Sequence, residues 1–149
     1  MARVVLQRTN ARRESGQAAL RFTRKVLREM QFQARLNLFG GPYTQGNLAR
    51  SIKIDGPFLD GHGARGSVGS DLPYADAVER GAGLWGPSMS KFLIVPYRTR
   101  LLHFYWRRLG RQVKLPYVNH PGQRPKKYLE RAAKEIGRRH NMIILTYEV

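Results

Sequence analysis

The sequence has no cysteine. That excludes disulfides, thiolate metal sites and a thiol nucleophile, and it fits an intracellular setting. Acids are scarce, with ten Asp and Glu against 27 Lys and Arg and a formal net charge of +17. No apolar run approaches the roughly 20 residues that span a bilayer. The apolar run within MARVVLQRTNARRE is also shorter than a secretion signal needs.

The usual chemical signatures are missing as well. There is no GxxxxGK[ST] phosphate loop and no GxSxG elbow. None of His62, His103, His120 and His140 lies three or four residues from another histidine or a carboxylate in a metal-site pattern. The pairs Asn119-His120 and His140-Asn141 have no paired carboxylates or zinc frame to make a nuclease. Gly61, Gly63 and Gly66 spell GxGxxG (GHGARG), but no long helix follows, so the dinucleotide fingerprint fails on context. No catalysis, metal or cofactor is expected.

What is present is a folded composition, 42% apolar over 149 residues, enough for one domain with one core. The positive excess is spread along the chain and favours a polyanion nearby: nucleic acid, an acidic membrane surface or an acidic protein face. Asp55, Asp60, Asp71, Asp76 and Glu79 gather in one region, where neutralising nearby arginines is their expected task.

Apolar spacing predicts a long helix over 11–39. Leu20, Val26, Leu27, Met30, Ala34 and Leu38 share one side, with Ala19 and Phe22 at its margin. Asn10 reads as its cap and Gly40-Gly41-Pro42 as its stop. Arg21, Arg24, Lys25, Arg28 and Arg35 fall opposite, relieved only by Glu14 and Glu29. That stripe reads either as a solvated face or as a surface for phosphates or an acidic partner.

Residues 3–7, ARSIKI (49–54), ARGSVG (64–69), 92–95, LLHFYWR (101–107), QVKLPYV (112–118) and MIILTYEV (142–149) read as strands. Asp60–Gly63 and Arg108–Arg111 read as hairpin connections, and Gly56-Pro57 as a turn. Pro73 opens a short helix over 74–79 closed by Gly81, and GAGLWGPSM (81–89) is a loop exposing Leu84 and Trp85. Pro116 marks an edge strand or a strand end. His120-Pro121-Gly122 with Pro125 makes a rigid bend, the imidazole capping or bracing it, into a second helix over 125–136. On that helix Tyr128, Leu129, Ala132, Ala133 and Ile136 share a face. The class is α+β: a long N-terminal helix on a mostly antiparallel sheet, a short middle helix, then a C-terminal helix and a last strand.

The order of motifs resembles the head–tail joining and tail-completion (neck) family of long-tailed bacteriophages. The long helix is followed by Gly46-Asn47-Leu48-Ala49-Arg50-Ser51-Ile52 and then by Tyr74-Ala75-Asp76-Ala77-Val78-Glu79-Arg80-Gly81. A hairpin comes next, then His120-Pro121-Gly122 with Tyr128-Leu129-Glu130-Arg131-Ala132. The likeness covers roughly residues 11–136. It departs from the family's pattern at Ala77-Val78, Ala82 and Lys127-Tyr128.

The resemblance implies a structural virion protein at the head–tail junction, made in the host cytoplasm. It implies a homo-oligomeric ring of six or twelve subunits around double-stranded genomic DNA. The neighbours would be connector, stopper and tail proteins, with no membrane partner. The family has no catalytic residues to carry over. Tyr74, Glu79, Leu84, Trp85, His120, Pro121 and Gly122 are the expected interface. Arg21, Arg24, Lys25, Arg28 and Arg35 are the expected basic face, toward DNA or an acidic partner. The competing reading is a basic nucleic-acid-binding module that works alone, without catalysis.

Overall fold

The computed structural model describes residues 2–7, 16–39, 46–60, 63–141 and 145–148. The chain divides into two compact units, one of Met1–Glu79 with Lys126–Val149, the other of Arg80–Pro125. The class is α+β, and every described strand pairing is antiparallel.

The first unit holds a four-stranded sheet. Strands β1 (Ala2–Gln7), β2 (Lys53–Asp60), β3 (Gly63–Ser70) and β10 (Leu145–Glu148) lie in the order β10-β1-β3-β2. Across it packs α1 (Gly16–Leu38), which buries Ala19, Thr23, Val26, Leu27, Met30, Ala34 and Leu38 at helical spacing. Strand β3, GARGSVGS, is poor in side chains because the helix comes close. A Cβ at Gly66 would sit 2.5 Å from Leu27 Cδ1 and 2.9 Å from the Asp55 carbonyl. Helix α4 (Tyr128–Arg139) turns Tyr128, Leu129, Ala132, Ala133 and Ile136 into the same core, the face that spacing predicts. It is tied to α1 by the Asn37 amide, which donates to the Tyr128 carbonyl at 3.0 Å. A second tie is the 2.8 Å hydrogen bond between His140 Nε2 and Glu29.

Three expectations need correction here. ARSIKI is not a strand: Asn47–Ser51 form a helical turn, α2, and only from Lys53 does β2 begin. Leu48, Ala49 and Ile52 face the core from that turn. The carbonyls at its end are capped from α1, a distant element that a local pattern does not reveal. Gly56-Pro57 is not a chain turn but lies inside β2, where the register shifts between Asp55 and Phe58 as a bulge. The last helix starts at Tyr128 rather than Pro125, because Lys126 and Lys127 are held against the end of α3 (Ala75–Arg80). Residues 11–15, the Asn10 cap, the Gly40-Gly41-Pro42 stop, Gly61-His62 and residues 142–144 lie outside the described residues.

The second unit is built of two-stranded ladders. Strand β4 (Ala82–Gly83) pairs with β9 (Gly122–Gln123), β5 (Phe92–Ile94) with β8 (Val118–His120), and β6 (Leu102–Trp106) with β7 (Arg111–Leu115). The second arm of the expected hairpin ends at Leu115 instead of Val118. Pro116 has no N–H to continue the ladder, and the chain re-pairs with β5 beyond it.

Candidate functional site

The residues singled out by sequence fall in three places. The first is the joint between α3 and α4. The Glu79 carboxylate accepts the Leu129 N–H at 2.9 Å through Oε2 and the Glu130 N–H at 2.9 Å through Oε1. Just before them, the Lys126 N–H donates to the Val78 carbonyl at 2.9 Å and the Lys127 N–H to the Glu79 carbonyl at 3.2 Å. Lys127 stands at the helix N-cap in the left-handed region, φ 52°, with no side-chain cap of its own. Glu79, some fifty residues earlier, supplies the missing acceptor and places a negative charge on the positive end of the helix dipole.

Burial is the largest influence on Glu79 and raises its carboxyl above the ordinary value of 4.5, ahead of the backbone N–H donors of Leu129, Glu130 and Tyr128 that lower it. Tyr128 beside it is fully buried, and its hydroxyl has no hydrogen-bond partner among the described residues. Burial, helped by the Glu79 charge, pushes that phenol well above its usual range. Glu79 is therefore occupied as an internal cap. Tyr74, in the turn that leads into α3, stays exposed.

The second place is α1. Arg21, Arg24, Lys25 and Arg28 are exposed along one face. Arg35 leaves that company. Its Nε donates to the Ala49 carbonyl and its Nη2 to the Ile52 carbonyl, each at 3.0 Å, and Gln31 adds a 2.7 Å bond to Ile52. These are end carbonyls of α2, so Arg35 serves as its C-terminal cap. One feature of α1 and the turn that follows it escaped the sequence reading: Phe32, Leu36 and Phe39, at spacings of four and three, are exposed apolar residues, with Phe32 63% and Phe39 64% accessible. The i, i+4, i+7 pattern was visible in the sequence.

The third place is the Arg80–Pro125 unit. His120 Nδ1 accepts the Gly122 N–H at 3.0 Å, so the imidazole braces the His-Pro-Gly bend and its ring lies against Phe92. The bend is clasped to the Leu84–Trp85 loop: the Leu84 N–H donates to the Pro121 carbonyl at 2.8 Å. Gly83 and Gly122, with φ of 65° and 93°, bring the two backbones into direct contact, and a Cβ at Gly122 would overlap the Ala82 carbonyl. Trp85 is 40% exposed, with the Arg124 guanidinium 5.8 Å from its ring centroid.

The unit as a whole lacks a core. From Arg80 to Pro125 the only buried residues are Gly81, Gly83 and Gly86. Its large apolar side chains, among them Leu84, Trp85, Met89, Leu93, Val95, Tyr97, Tyr105, Trp106 and Tyr117, are exposed. A covered face is what normally stabilises two-stranded ladders, which are marginal alone in water. Apolar side chains left uncovered in such number are a feature of surfaces that take part in interactions. The same unit contains nine Lys and Arg and not one Asp or Glu. That segregation was legible in the sequence once the boundaries of the unit were known.

No cluster of three metal-ligating side chains occurs among the described residues. No described helix is long and apolar enough to cross a membrane. Comparison with protein-family models, curated proteins and solved structures finds no match.

Proposed function

We propose that this chain is a structural virion protein of the phage neck. In this reading it forms a ring that joins the head connector to the tail around the DNA channel. The observation that carries the reading is the Arg80–Pro125 unit, whose apolar side chains are uncovered and whose backbone is held by glycine contacts rather than by a core. A subunit of a closed ring needs two different surfaces that meet head to tail, one copy's against the next copy's other. Leu84 and Trp85 lie on one such surface, and the exposed Phe32, Leu36 and Phe39 offer another. The ordered motifs around Ser51-Ile52, Tyr74–Gly81 and His120–Gly122 add the resemblance to the neck family. Within the reading, Glu79 and His120 are internal braces, and Tyr74, Leu84 and Trp85 carry the contacts.

A second reading draws on the exposed row Arg21, Arg24, Lys25 and Arg28: a nucleic-acid-binding module that acts alone. Two experiments separate them. Mass spectrometry of particles made from the encoding genome should find the chain at a fixed stoichiometry. Deleting its gene should leave heads and tails that do not join. A chain absent from particles, or particles that join normally without it, would overturn the neck reading. A monomer that binds short duplexes tightly would then favour the second.

A further inference from the structure

The hairpin β6–β7 stands out within the acid-free unit because its two faces differ. Register pairs Leu102 with Leu115 and Phe104 with Val113, four half-buried residues on one face, which the exposed pair Trp106–Arg111 continues beside the turn. On the other face His103 pairs with Lys114 and Tyr105 with Gln112, all exposed. Cations stand at both ends. Arg107, Arg108 and Arg111 surround the turn, while Arg98 and Arg100 precede the open end; all five are exposed.

We propose that the polar face of this ribbon, with the arginines at its two ends, is a contact surface for the phosphate backbone of double-stranded DNA. The inference deepens the neck reading by naming the element that meets DNA.

Three observations carry it. First, a partner of uniformly negative charge disfavours an acid at every position, and the unit has none between Arg80 and Pro125. An acidic protein, which also presents cations, does not demand complete exclusion. Second, no carboxylate side chain within the unit can neutralise these arginines, and their guanidinium forks suit phosphate oxygens. Third, five residues of strand are about 17 Å long. The arginine groups at the two ends are thus spaced to reach phosphates on either side of a groove about 12 Å wide, which admits a two-stranded ribbon. The apolar face of the ribbon stays free for a protein neighbour. The helix row Arg21, Arg24 and Arg28 lies beside Glu29, which takes the Arg139 and His140 side chains, so it is the less segregated of the two basic surfaces.

The test uses the full chain and a 20-base-pair duplex across a salt series. The comparison is between R107Q/R108Q/K114Q and R21Q/R24Q/R28Q, with R107K/R108K as a charge-preserving control. Circular dichroism establishes that each variant is folded. Counterion release makes log K fall with log salt by about 0.9 per phosphate contact. The ribbon glutamine variant should therefore lose about 2.7 from that slope and weaken at least tenfold at low salt. The lysine control should keep the slope, and the helix variant should change it by less than one contact. A loss confined to the helix variant would overturn the assignment. So would an intact chain that binds poly-glutamate but not the duplex, which would make an acidic protein the occupant, or one that binds neither. The outcome does not depend on a ring: a chain that binds in this way yet is missing from particles would sink the neck reading and leave the ribbon assignment standing.

Discussion

Glu79 shows how one side chain sets the geometry of a joint. Its two oxygens accept the first free N–H groups of α4, which has no local cap. Truncation leaves two half-buried donors without an acceptor. Glu79→Ala is therefore expected to cost about 1–3 kcal/mol of stability, measured by chemical denaturation. Glu79→Gln keeps one acceptor and should cost less. The pH dependence has a definite sign. Burial raises the folded carboxyl above 4.5, so the folded state binds that proton more readily than the unfolded state. Its favourable contribution is complete below 4.5 and is lost as pH rises through the folded value. The stability of the wild type relative to Glu79→Gln should thus grow as pH falls from 7 toward 4.5. The opposite trend would mean that the two N–H bonds outweigh burial.

At the scale of elements, the ribbon and the Trp85 loop carry apolar groups that the chain itself does not cover. Removing them should leave the isolated fold almost intact. Trp85→Ala and Trp106→Ala are expected to shift the melting temperature by only a few degrees while impairing assembly several-fold, read from the yield of joined particles. A large loss of stability in both, with normal joining of whatever folds, would place these side chains in a core instead.

The same elements show what sequence could and could not reveal. Helices α1 and α4 were legible because their buried faces repeat at 3.6 residues, and the buried set of α4 is the one that spacing predicts with Gly137 added. Helix α2 was not, since Leu48, Ala49 and Ile52 fit a core only once Arg35 and Gln31 cap the turn from another helix. Arg35 and Glu79 read locally as surface charges for the same reason: their partners lie 14 to 17 and about 50 residues away. The short strands of the Arg80–Pro125 unit were visible as branched and aromatic runs. That they lack a covering layer was not visible, because such runs mark a strand and not what packs on it.

For the whole molecule, a net charge of +17 and an uncovered apolar unit are both features that the proposed neck ring would answer with partners. Like-charged subunits repel, so a ring of them needs anions from DNA or from acidic neighbours to close. Binding to the folded chain then adds stability by mass action. Both tryptophans, Trp85 and Trp106, and the 93% exposed Tyr97 lie in the Arg80–Pro125 unit. They make that unit directly readable. The decisive measurement is hydroxyl-radical footprinting of the peptides that carry Trp85, Tyr97 and Trp106, in the isolated chain and in assembled particles. Strong labelling of the isolated chain and several-fold protection in the particle is the expected result. Equal labelling in both would contradict the account, because the unit would then remain uncovered where it is supposed to be docked.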